Sequence, residues 1–275
     1  MPPRRRAADR PQADESTLPL PFAQGPVRAD APAPAATPPS LSRPPTTPTT
    51  ATPTRTAASA GKASSDLELG LDEAGRGPIL GPMVLACVAL READSDRLRT
   101  LGVCDSKRFG AGPAAHRARL LLAEQIQDIA AHVGVAVIAP QEIDLRRGQL
   151  NHLEREHAAR LIDAAPPCAR IFADGARLFA PMAARYPQLV AQDRAESAFV
   201  AVAAASIIAK TKRDTLWLAI CERYHAEFGS YLEGHAGGGY PNEATRRFLR
   251  AYYSRYRHLP PETRTTWPTE FLADL

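Results

Sequence analysis

The stretch Gly70-Leu71-Asp72-Glu73-Ala74-Gly75-Arg76-Gly77-Pro78 sets two adjacent carboxylates directly before two glycines that flank an arginine. Crowded acids destabilise a fold unless something positive lies between them. Just upstream the chain alternates: Leu67, Leu69 and Leu71 face one way, Glu68, Gly70 and Asp72 the other. That period of two is the signature of a strand, so Asp72 leaves the strand's end on the face opposite the leucines. The run GPMVLACVAL (residues 81–90) is apolar, opens on Gly-Pro and reads as a second strand. The Gly-rich turn makes the two a hairpin-like pair.

Further along, Pro113 opens a helical pattern with Leu122, Ile126, Ile129 and Ala130 at helical spacing. VGVAVIAP (133–140) reads as a strand, and PQEIDLRRGQLNHLEREHAARLIDAA (140–165) as helix interrupted near Gly148. ARIFADG (169–175) is a short buried strand ending in Asp174-Gly175, and QLVAQ (188–192) is another short strand. A long helix is expected over 197–228, Ala-rich in its early part, so that something packs close against it. GGGYP (237–241) is a loop and NEATRRFLRAYYSRYR (242–257) a final helix. Strands first, then alternating strands and helices, predict an α/β domain with a mixed central sheet.

Composition bounds the rest. Of 26 prolines among 275 residues, 14 fall before residue 54, in a Pro/Ala/Thr-rich tract. Such a tract has too little apolar surface to offset the entropy of ordering, so residues 1–65 are expected to be a disordered tail. Residues 66–275 are then long enough to bury one core. The net charge of +4 and a pI near 9.0 favour a polyanionic partner. The first residues carry early acids and no apolar run of signal-peptide length, and no stretch approaches the roughly 18 apolar residues of a membrane span. The four cysteines are scattered with no CxxC pair. A reduced, cytoplasmic, monomeric protein with no membrane partner is expected.

Three acids stand at strand ends: Asp72 with Glu73, then Asp174. In AQDRAESAF (191–199) Asp193 and Glu196 compete for a fourth place. Carboxylate oxygens are the ligands Mg²⁺ and Mn²⁺ prefer. Carboxylates at one end of a sheet can hold two such ions about 4 Å apart, an arrangement suited to phosphodiester hydrolysis. Ser106 and Ser206 have no evident His-Asp partners. The seven histidines lack zinc-like spacing, and GGGY is followed by no Gly-Lys-Ser/Thr that would make it a phosphate loop.

In this order, GLDEAGRGPILGPMVLACVAL, CDSK, ADG and VAAASIIAKTKRD resemble the ribonuclease HII/HIII family, the type 2 ribonucleases H. GGGYPNEATRRFL and RTTWPTE resemble C-terminal elements of the archaeal and eukaryotic-like branch of HII. The resemblance spans about residues 67–270. It implies a ribonuclease H-like fold, a mixed central sheet flanked by helices with a C-terminal helical part. It also implies cleavage of the RNA strand of RNA–DNA hybrids, nicking 5′ of single ribonucleotides in duplex DNA, and a site of four acids binding Mg²⁺ or Mn²⁺.

By the same resemblance Asp72, Glu73 and Asp174 match the first three acids. Ten residues before Ser206 stands Glu196, where HII members usually carry Asp and HIII members Glu. Glu196 is thus the fourth ligand expected, with Asp193 as the alternative. Gly75, Arg76 and Gly77 match the loop whose backbone meets the 2′-hydroxyl, the group that separates RNA from DNA, and Arg76 would hold a phosphate. Tyr240 matches the tyrosine that packs on the sugar beside the ribonucleotide in HII. Lys107 matches a basic residue near the substrate phosphate, Lys210 is expected to face the nucleic acid as well, and Asp214 reads as structural.

Overall fold

The computed structural model describes residues 66–103, 109–232, 238–267 and 272; the tail expected over 1–65 lies outside them. Five strands form one mixed sheet in the order β3-β2-β1-β4-β5. They are β1 (Glu68–Ala74), β2 (Met83–Leu90), β3 (His132–Ile138), β4 (Arg170–Asp174) and β5 (Leu189–Gln192). The hairpin pair is antiparallel, with Asp72 opposite Ala86, and β2 pairs antiparallel with β3. β1 and β4 are parallel, Leu71 opposite Ala173, and β4 and β5 are parallel with Asp174 opposite Gln192. Because β1 and β4 run side by side in the same direction, Asp72 and Asp174 emerge at the same edge of the sheet, one strand apart.

The helices are α1 (Glu92–Thr100), α2 (Pro113–Ile129), α3 (Pro140–Leu145), α4 (Leu150–Ala164), α5 (Ala176–Phe179), α6 (Val200–Phe228) and α7 (Glu243–Tyr256). The interruption expected near Gly148 is real: α3 and α4 are separate, and Gly148 sits at φ 75° between them. Helix α1 is an element the periodicity does not announce.

One face of the sheet packs Leu69, Leu71, Leu85 and Cys87 against Ala158, Leu161 and Ile162 of α4. The other face packs Val84, Ala86 and Val88 against α2 and the alanine-rich first half of α6. Gly70 explains those alanines. A Cβ on Gly70 would stand 2.0 Å from the Ala201 carbonyl carbon and 2.2 Å from the Val202 nitrogen. The backbones of β1 and α6 therefore touch, which only small residues on both sides permit. The far half of α6 leaves the sheet and joins α7 around Ile79, Leu80, Trp217, Phe228 and Phe248. The side chain of Asn242 accepts from the Thr245 N–H at 2.9 Å and caps α7.

Candidate functional site

A cleft of about 500 Å³ opens at the sheet edge where β1 and β4 end. Its wall brings together Asp72, Glu73 and Asp174, the loop Gly75–Pro78, Lys210, Arg213, Asp214 and Tyr240. Asp72 is buried, on the α6 side as its strand parity predicts, and hydrogen-bonds the Ser206 side chain. Its carboxylate also accepts from the Glu73 N–H at 2.8 Å. Burial, then the charges of Glu73 and Asp174, push the Asp72 carboxyl well above the ordinary carboxylate range, against the pull of the Ser206 bond. The acid crowding that the sequence shows is therefore an electrostatic fact of the fold.

Asp174 Oδ1 accepts from the Ala195 N–H at 2.9 Å. That bond draws the single 3₁₀ turn Ala195–Ser197 against the end of β4, entered through Arg194 at φ 59°. Glu196 sits in this turn with its side chain buried. Asp193, the alternative, is exposed and accepts from the Ala176 N–H at 2.8 Å, capping α5. Its carboxylate is thus committed to a helix start. Among the described residues no three of His, Cys, Asp or Glu close into a metal cage. The donor set is all carboxylate oxygen in a largely buried cleft, which fits a hard divalent cation and not a soft one.

The Gly-Arg-Gly loop is gripped from behind. Arg264, fully buried, donates to the carbonyl oxygens of Gly75 (2.6 Å), Arg76 (2.9 Å) and Gly81 (3.0 Å). Burial and the neighbouring Arg213 push its guanidinium down to about 9, still protonated at neutral pH. Arg213 donates to Leu80 O (3.1 Å) and Gly238 O (2.6 Å), tying this loop to the one that carries Tyr240. Gly75 stands at φ 84°, and a Cβ there would meet the Arg213 side chain at 2.8 Å. Gly77 lies against the Tyr240 ring: a Cβ there would stand 3.0 Å from Cε1 of Tyr240, which is half exposed, so a side chain at 77 would displace the ring.

Arg76 lines the cleft, but its guanidinium is bonded to Glu154 and Asn151 of α4. Lys210 also faces the cleft and pairs with Asp214, one turn along α6. Asp214 is buried and accepts from Arg119 at 3.0 Å, with His116 Nδ1 at 4.0 Å, so it is the anchor of a cationic cluster. Arg119 in turn donates to Gly110 O at 3.2 Å on the cleft wall. Lys107 lies outside the described residues. Sequence reasoning gave no role to Arg119, Asn151, Glu154, Arg213 or Arg264 and read Ser206 only as a serine without His-Asp partners; Ser206, Arg213 and Arg264 stand inside the motifs VAAASIIAKTKRD and RTTWPTE, but the partners of all six lie in distant parts of the chain.

The family model described as ribonuclease HII matches residues 69–270. Ribonuclease HII of Pyrococcus furiosus is 35% identical over 210 residues, covering 73% of this chain and 88% of that protein. Ribonuclease HII of Thermococcus sibiricus is 34% identical over 213 residues, with the same coverage. The crystal structure of ribonuclease H2 from Pyrococcus horikoshii superposes with a TM-score of 0.63 at 32% identity, over 74% of this chain and 94% of that one.

Proposed function

The chain belongs to the ribonuclease HII family of type 2 ribonucleases H, and on that premise we propose that it cuts the RNA strand of RNA–DNA hybrids and also nicks 5′ of single ribonucleotides embedded in duplex DNA. The products would carry 3′-hydroxyl and 5′-phosphate ends. The observation that carries the reading is the meeting of three carboxylates, Asp72, Glu73 and Asp174, with the Gly75–Gly77 loop and Tyr240 in one cleft.

In this reading Asp72, Glu73, Asp174 and Glu196 would hold Mg²⁺ or Mn²⁺, which would supply water activation and neutralise charge on the leaving oxygen. The residues do the rest. Ser206 fixes the rotamer of Asp72, and the Ala195 N–H fixes that of Asp174. The loop Gly75–Gly77, braced by Arg264, presents backbone to a 2′-hydroxyl; a deoxyribose offers nothing there to bond. Tyr240 lies over Gly77 and provides an apolar ring on which a sugar can pack. Arg76 and Lys210 offer charge to the backbone phosphates. Cys87, Cys168 and Cys221 are free thiols, which suits the reducing cytoplasm, where we place the protein as a monomer.

The test is incubation with labelled RNA–DNA hybrid and, separately, all-DNA duplex, in Mg²⁺ and in Mn²⁺. Cleavage of the hybrid alone, abolished by chelation, is expected. Cleavage of the all-DNA duplex would overturn the reading, as would silence on the hybrid.

A further inference from the structure

Arg76 faces the cleft with its side chain 38% exposed, while the carboxylate it pairs with, Glu154, is 0% exposed. Burying a carboxylate is costly, and a pair of this kind is weak as a stabilising device. Only half of Glu154 is engaged: one oxygen meets Arg76, and Oε1 has no hydrogen-bond partner among the described residues. A residue kept for stability alone would be better replaced by an apolar side chain of similar size. What the acid does achieve is placement. Asn151, three residues earlier and so on the same face of α4, takes a second guanidinium nitrogen. Two contacts fix a side chain that otherwise loses much rotamer freedom when it binds.

The alternative location for that guanidinium matters. Glu73 acts electrostatically on Arg76 from within the cleft. A guanidinium released from α4 has Glu73 as a ready carboxylate partner, and bidentate Arg–carboxylate pairs are strong. Such a pair would take Arg76 from the phosphate path and cover one of the acids.

We infer that Glu154, aided by Asn151, is a positioning residue: it holds the Arg76 guanidinium at the cleft wall, on the phosphate path of the nucleic acid and away from Glu73. This rests on the substrate reading above and adds to it a residue outside the cleft that sets substrate affinity through Arg76.

The experiment is a double-mutant cycle with E154Q, R76A and the pair together, reading hybrid affinity by fluorescence anisotropy in chelator, where no cleavage occurs. E154Q and R76A should each weaken binding about tenfold, the effect of one charge-assisted hydrogen bond, and the double variant should be no weaker than R76A. Asn151 is exposed, so N151A is a second variant that spares the core; it should weaken binding in the wild-type background and not in R76A. Equal losses in both backgrounds, or no loss from either E154Q or N151A, would overturn the inference. Wild-type cleavage of the hybrid is measured alongside. If that fails, the substrate reading fails, whereas a wild type that cleaves and a cycle that is additive condemn the positioning role alone.

Discussion

Arg264 Nη2 donates to the carbonyl oxygen of Gly75 at 2.6 Å, joining residues 189 positions apart. With its bonds to Arg76 O and Gly81 O, one fully buried guanidinium holds the backbone of the loop that would meet the 2′-hydroxyl. Lysine has charge but no planar fork and cannot span three carbonyls. Arg264→Lys should therefore cost about 3 kcal/mol, one to two charge-assisted hydrogen bonds. For a domain of this size that is a fall in Tm of roughly 10 °C. Cleavage measured well below the new Tm should still be impaired, because the loop loses its brace.

Asp72 is held protonation-prone by burial and by two neighbouring acids. Its folded pKa lies above the unfolded value of about 3.9, so between the two values the folded state binds more protons. Stability from this group is complete below the unfolded pKa and is lost as pH rises through the folded pKa. Asp72→Asn removes that loss. Thermal unfolding in chelator should show the variant more stable than the wild type at pH 7, with the difference shrinking towards pH 4. A variant less stable at pH 7 would show that the carboxylate is not under strain.

Asp193 and Glu196 are separable by the structure's own bonds. Glu196→Ala should reduce cleavage at least about a hundredfold, as for removal of other groups that act on transition-state charge. Asp193→Ala removes only the cap on α5 and should cost about 1 kcal/mol of stability with near-normal rates. The reverse result reassigns the fourth acid.

Tyr240 rests over Gly77 and not in the core. Tyr240→Ala should leave stability almost unchanged and impair nicking at a single ribonucleotide more than cutting of a long hybrid. A long hybrid offers many registers, whereas a lone ribonucleotide offers one. Equal losses on both substrates would remove the junction role.

The elements legible in the sequence are those whose signal is local. The alternation of Leu67, Leu69 and Leu71 gives β1 and the side on which Asp72 emerges; the alanines near residue 203 announce a close neighbour, which proves to be Gly70. Helix α1 is silent because EADSDRLRT is polar, and of its apolar positions only Leu98 enters the core. Asp72, Glu73 and Asp174 are visible at strand ends, and the parallel pairing of β1 with β4 brings them to one edge. Arg264, Arg213 and Arg119 look like surface residues in a sequence. They are buried because loop carbonyls and Asp214 receive them. Such pairings belong to the tertiary fold, and no spacing encodes them. Arg76 shows the converse: its place beside the acids is legible, while its anchor on Glu154, 78 positions away, is not.

On the proposed function, the cleft recognises a lone ribonucleotide. Purified protein in Mg²⁺ is given an end-labelled DNA duplex containing one ribonucleotide, and the products are sized at single-nucleotide resolution. One cut is expected, on the 5′ side of the ribonucleotide, leaving a 3′-hydroxyl. An intact duplex, from a preparation that cleaves a long RNA–DNA hybrid, would contradict it.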